Sequence, residues 1–279
     1  MAKTTAAPQR GYYAQQTAGA DRIEIKATVP QRQIAGALKR YKLTRSNDEQ
    51  RLVYFFDTPD QALLEAGIIV RARRVIGDRH DSTIKFRPVD TDKLPQDWRK
   101  YSGFKIEVDA SEKGLVKSAS FSMPVRKGLI KQVVAGKARN GRLFTPEQEK
   151  FLEETAGRNI DFDQVVVLGP LMAQRWDFVD PACPWPITAE LWQRTDGAQL
   201  MEISVKAPTV QAAAVMAGFM AFLAEVGAER DRNQQAKTRW AMDFYASKRK
   251  PAGRRVARAV AKSRRTAAPV RARKPARAR

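Results

Sequence analysis

One short pattern constrains this chain more than any other. Apolar and charged residues alternate strictly, and the charged positions carry both signs. It is first met at Arg22-Ile23-Glu24-Ile25-Lys26. Successive side chains of a β-strand point to opposite faces, so such a stretch has one apolar face and one face where cations and carboxylates sit together. Similar alternation returns at residues 68–74, 83–87, 105–109, 171–178, 187–194 and 199–206, and the aromatic stretch 51–57 adds a further strand. Helical signals separate these strands. Pro30 starts one pattern with Ile34, Ala37, Leu38 and Tyr41 on one side, and Pro59 starts a short one closed by Gly67. Thr145-Pro146-Glu147 supplies an N-cap, a first-turn proline and a first-turn acid.

A surface sheet would turn its charged face to water. A closed barrel can invert this, with a polar lumen inside and the apolar face covered by helices. The expected fold is α+β: an eight-stranded, mostly antiparallel closed β-barrel, a tunnel, with flanking helices. Residues 1–20 are expected as a flexible leader and 21–246 as the folded body, with a helical insertion at about 110–169. A long helix from about Thr209 to Tyr245, breaking near Gly227, closes the body; its Arg230, Arg232 and Lys237 read as a solvated face.

The net charge of +21 divides unevenly, because residues 248–279 hold fourteen Lys and Arg and no acid. Residues 247–279 are expected to be disordered, since their Ala/Arg/Lys/Pro mixture cannot bury a core. Such a stretch suits non-specific association with nucleic acid or polyphosphate through counterion release. One cysteine, Cys183, and one histidine, His80, argue against a disulfide framework, a His-based metal site and a Ser-His-Asp arrangement. The uncharged run 207–224 reads as a buried helix, so the chain is expected to be cytoplasmic, without a membrane span.

These segments, taken in order, resemble the CYTH, or triphosphate tunnel metalloenzyme, family. Glu24-Ile25-Lys26 resembles the second half of that family's opening acidic strand. Tyr54-Phe55-Phe56-Asp57-Thr58-Pro59 resembles its aromatic-Asp-Thr-Pro segment. Val70-Arg71-Ala72-Arg73 and Thr83-Ile84-Lys85-Phe86-Arg87 resemble its two basic strands, and Glu107-Val108-Asp109 its central acidic pair. The resemblance implies that Lys26, Arg71, Arg73, Lys85, Arg87 and Arg175 hold phosphate oxygens. It implies metal ligation by Glu24, Glu107, Asp109 and Glu202, with Mg²⁺ or Mn²⁺ as cofactor, and catalytic roles for Glu107 and Glu190. The partner would be a triphosphate-bearing small molecule or polyphosphate, and the reaction metal-assisted attack of water on a terminal phosphoryl group.

Two positions depart from the family pattern. Arg22 stands where the first strand opens with a glutamate, and Ser204 where the last strand closes with one. Asp21 has the wrong parity to replace the lost acid unless a bulge shifts the strand. Arg22 could pair with Glu24 or replace a metal ion as counter-charge. A triphosphatase, a polyanion-binding tunnel without catalysis, and a nucleotidyl cyclase on the same scaffold all stay open at this point.

Overall fold

The computed structural model describes residues 6–111, 114–157, 159–227 and 236–249. The alternating stretches become strands β1 (Arg22–Val29), β2 (Glu49–Asp57), β3 (Ile68–Val75), β4 (His80–Phe86), β5 (Phe104–Ser111), β6 (Gly114–Val125), β7 (Val166–Asp180), β8 (Cys183–Gln193) and β9 (Gln199–Pro208). They close into one barrel in the order β1-β5-β6-β4-β3-β2-β7-β8-β9. Every neighbouring pair is antiparallel except β1 with β5.

The barrel and its α+β class match the expectation, but it has nine strands where eight were expected. The additional strand is β6, which opens the stretch expected as a helical insertion. Its inward positions are serines (Ser118, Ser120, Ser122) in place of charges, and Ala119 and Phe121 point to the covered face. Helices enter the stretch only after β6 ends, as α4 (Leu129–Val134) and α5 (Pro146–Ala156). In the stretch expected as a leader, Ala6–Gln16 forms helix α1, which lies against a later helix, α6 (Ala212–Glu225).

Helices cover the outside of the barrel. Ile68, Val70, Ile84, Phe86, Ile106 and Phe121 pack with Ile130, Val133, Phe151 and Leu152 of α4 and α5 in one outer cluster. Ile23, Ile25, Val108, Ile187, Ile203 and Val205 pack with Val215, Phe219 and Phe222 of α6 in another, where Ile34 of α2 (Ile34–Arg40) joins them. Cys183 is buried there as a free thiol. The apolar parity of the strands therefore faces helices, and the charged parity is left for the interior.

Two local devices hold this layer. α5 begins with the expected cap: the Thr145 hydroxyl accepts from the Gln148 backbone N–H, and the Gln148 side chain accepts from the Thr145 N–H. Buried Gln148 also donates to the carbonyls of Ser82 and Phe121, which ties the helix to β4 and β6. Thr145→Ala is expected to cost about 1 kcal/mol of stability, read from the urea-unfolding midpoint. The short helix α3 (Ala62–Glu65) ends at Gly67, with φ of 75°. A Cβ there would stand 2.7 Å from the carbonyl oxygen of Arg87, so glycine permits the close approach that seats Arg87 beside β3.

The closing helical region holds α6 and α7 (Lys237–Lys248); Arg230 and Arg232 lie outside the described residues, as do residues 250–279 of the basic tail. α7 packs Ala241, Met242 and Tyr245 against Val53, Phe55, Leu171 and Trp192. Those strand residues have the inward parity, so α7 occupies one end of the barrel. Among the described residues no helix is long and apolar enough to cross a membrane.

Candidate functional site

Register decides which charges meet inside the barrel. β1 runs uninterrupted against β9 from Arg22 to Val29, setting Glu24 opposite Lys206, Lys26 opposite Ser204 and Thr28 opposite Glu202. The parallel pairing with β5 puts Glu24 beside Asp109. Farther round, Arg71 faces Thr83, Arg73 faces Asp81, Arg175 faces Glu190, and Glu190 faces Glu202. The predicted charged residues thus converge on one lumen, though not in the partnerships expected of them.

One wall carries carboxylates already matched by cations. Asp109, whose side chain is 0% exposed, has Lys26 Nζ at 2.7 Å, Lys85 Nζ at 3.1 Å and Arg87 Nε at 3.5 Å. Lys26 also reaches Glu24 at 3.0 Å, and Lys206 reaches Glu107 at 3.0 Å and Glu24 at 3.7 Å. Burial opposes ionisation of Asp109, yet Lys26, Lys85 and Arg87 together hold its carboxyl well below the usual range. Burial likewise disfavours charge on Lys26, but Glu24 and Asp109 raise it well above an ordinary lysine. Burial pulls Lys85 down, and Asp109 only partly offsets this.

The opposite wall is rich in arginine. The Arg73 Nε–H is shared between the two Asp81 carboxylate oxygens at 3.0 and 3.1 Å, and Arg175 pairs with Asp177 at 2.8 Å. Arg51, buried and not among the predicted ligands, pairs with Glu49 and lies 3.2 Å from Glu190. Arg71 differs from all of these. No carboxylate lies within ion-pair distance of it among the described residues, its buried Nε has no hydrogen-bond partner, and Nη2 reaches only Thr83 Oγ1 at 3.4 Å. Burial and then the neighbouring Arg73 push its guanidinium down to about 9, the mark of a cation short of counter-charge.

Between the walls stands a residue expected on a solvated face. Lys237 of α7 sends its ammonium into the lumen, where it hydrogen-bonds Glu190, reaches Glu202 at 2.7 Å and sits 4.5 Å from the centre of the Trp192 ring. Its side chain is 14% exposed. Burial opposes ionisation of Glu190, but Lys237, then Arg51 and Arg73, hold its carboxyl far below the ordinary range. A carboxylate held in this arrangement is a poor proton acceptor.

The position singled out by the sequence is peripheral. Arg22 is exposed at the start of β1, and Glu24 pairs with Lys26 and Lys206 instead of Arg22. Asp21 faces away from the lumen: it pairs with Arg99 at 2.6 Å and accepts from the Ile106 N–H, with no bulge to carry it inward. The counter-charge considered for Arg22 is supplied by lysines, and chiefly by Lys237, whose place on a helix far along the chain leaves no periodic signal.

The expected metal ligands are engaged by cations instead. Among the described residues no three His, Cys, Asp or Glu side chains group as a metal site. Glu24, Glu107, Asp109 and Glu202 each have an ammonium within 3.0 Å. Mg²⁺ requires closely placed oxygens in near-octahedral geometry. The donor set in this arrangement does not fit it.

No protein-family model matches the sequence, and neither does any curated protein. Solved structures do match. A candidate adenylate cyclase from Bacillus halodurans superposes with a TM-score of 0.56 at 14% identity, covering 79% of this chain and 97% of that one. A candidate adenylyl cyclase from Hippeastrum, described as having a dominant triphosphatase activity, superposes with a TM-score of 0.53 at 17% identity, covering 83% and 98%. This chain shares the closed-barrel fold of these two proteins. At these identities the likeness is one of fold. Within that fold, an ammonium held between the β8 and β9 carboxylates and an arginine without a carboxylate partner among the described residues belong to this chain's own side chains.

Proposed function

We propose that the tunnel binds the triphosphate end of a small molecule, or a short polyphosphate, along its arginine wall. The observation that carries this is Arg71. A guanidinium partly withdrawn from water and left without a carboxylate is costly unless an anion is to enter beside it. Arg73, Lys85, Arg87 and Arg175, with Arg51, stand around the same lumen. Guanidinium forks match phosphate oxygens bidentately, and cations in a partly desolvated channel attract a polyanion more strongly than the same cations in water.

Likeness to the Hippeastrum protein favours a second reading, hydrolysis of the bound triphosphate. Of the two carboxylates expected to act as catalysts, Glu107 is paired with a half-exposed lysine, Lys206, at 3.0 Å, and Glu190 with the largely buried Lys237. Residues 248–279 are proposed to gather polyanions, phosphate chains or nucleic acid, by charge alone.

Tripolyphosphate is expected to bind the full-length chain in calorimetry with one tunnel site, weakening as salt rises. Absence of heat at low salt would remove the receptor reading. Phosphate release, measured in the same samples with and without Mn²⁺, decides whether binding leads to hydrolysis.

A further inference from the structure

We infer that Lys237 is a built-in counter-cation: its ammonium, carried in on α7, occupies the Glu190–Glu202 carboxylate pair, so the tunnel takes its polyanion without a divalent metal. This rests on the polyanion-binding reading above and deepens it.

Glu190 and Glu202 are direct cross-strand partners on β8 and β9. Like charges placed opposite one another on a sheet repel, and they repel more strongly when shielded from water. Such a pair stays doubly ionised only with cations beside it, a role a divalent ion could serve; otherwise one member keeps its proton. Here the cation is Lys237, which contacts both carboxylates.

The seat is built for it. Trp192 lies under the ammonium at 4.5 Å, a cation–π contact, and α7 is anchored by Ala241, Met242 and Tyr245 against inward-facing strand residues. The Tyr245 hydroxyl adds a hydrogen bond to the Pro170 carbonyl at 2.5 Å. An ammonium offers a single positive charge and three donors, whereas Mg²⁺ would demand several oxygens close around it. Lys237 and a divalent ion therefore exclude each other at this pair. With one cation resident, the arginine wall remains the place for phosphate.

The test compares the wild-type chain with Lys237→Met and Lys237→Met/Glu202→Gln. Mn²⁺ binding is followed by electron paramagnetic resonance, and folding is checked by circular dichroism. The wild type is expected to bind Mn²⁺ no more tightly than about 1 mM, where the single carboxylates left in water-facing positions would hold it. Lys237→Met is expected to gain at least about tenfold in Mn²⁺ affinity by freeing the carboxylate pair, and the added Glu202→Gln to abolish the gain. Wild-type protein is also expected to bind tripolyphosphate in EDTA.

Tight Mn²⁺ binding by the wild type that Glu202→Gln weakens would overturn the inference, and so would tripolyphosphate binding that requires metal. A folded Lys237→Met chain with no gain would overturn it as well. The wild-type measurements stand even if Lys237→Met does not fold. Failure of tripolyphosphate to bind under any condition would end the receptor reading and the metal-free binding drawn from it, while the seating of Lys237 at the carboxylate pair is decided by the Mn²⁺ titrations, which contain no phosphate.

Discussion

Asp109→Asn is expected to cost about 3–5 kcal/mol of folding stability, because removing one member of a buried ion cluster strands the others. Its carboxylate is the shared partner of Lys26, Lys85 and Arg87 and is wholly buried. Asparagine keeps the size and loses the charge, leaving Lys85 and Arg87, among the described residues, without a carboxylate in ion-pair contact and Lys26 in contact with Glu24. For a body of this size the loss corresponds to about 10 °C in the unfolding midpoint, measurable by calorimetry at neutral pH.

Acid should reproduce the effect in the wild type. The folded Asp109 carboxyl is held well below its ordinary value of about 3.8. Its contribution is therefore complete above that value and is lost as pH falls through the folded one. Glu24 and Glu190 are depressed in the same direction, so the acid transition gathers several groups. Urea midpoints should stay level from pH 7 to about 5 and then fall steeply below about 4. The Asp109→Asn chain should show a shallower fall. Equal slopes in both chains would mean that Asp109 does not carry the cluster.

Arg71→Met is expected to act in the opposite sense on stability and strongly on binding. Charge-assisted hydrogen bonds contribute about 1.5–3 kcal/mol, so tripolyphosphate affinity should fall about 10- to 100-fold. Because Arg71 gives up no carboxylate partner, the free protein should be as stable as the wild type or more stable. Arg73→Met supplies the contrast. It would leave Asp81 without the Nε–H that both its oxygens share and should lower both affinity and melting temperature. Calorimetric titration together with thermal unfolding separates the two. A large loss of stability in Arg71→Met would show that the residue holds the fold and is not poised for an anion.

The barrel is legible in particular residues. Ile23 and Ile25 against Glu24 and Lys26, or Ile84 and Phe86 against Lys85, report the period of a strand and which face is covered. β6 is not legible in the same way, because Ser118, Ser120 and Ser122 line the lumen without charge. Residues 6–16 carry only weak patterning, and α1 gains its place from α6 far along the chain. Arg51 opens an aromatic strand, and nothing near it in the sequence marks it as a partner of Glu190.

What the sequence determined by itself is parity: which side chains of each strand share a face, and that cations and carboxylates share the same one. What tertiary structure decided is pairing. Arg51 and Glu190 are 139 residues apart and Lys206 and Glu107 are 99 apart, and each pair meets only because the sheet closes on itself. Parity is a local consequence of strand geometry. Closure, register and the docking of α7 depend on the sum of distant contacts, so the sequence could name the charges of the tunnel but not the cation that stands between Glu190 and Glu202.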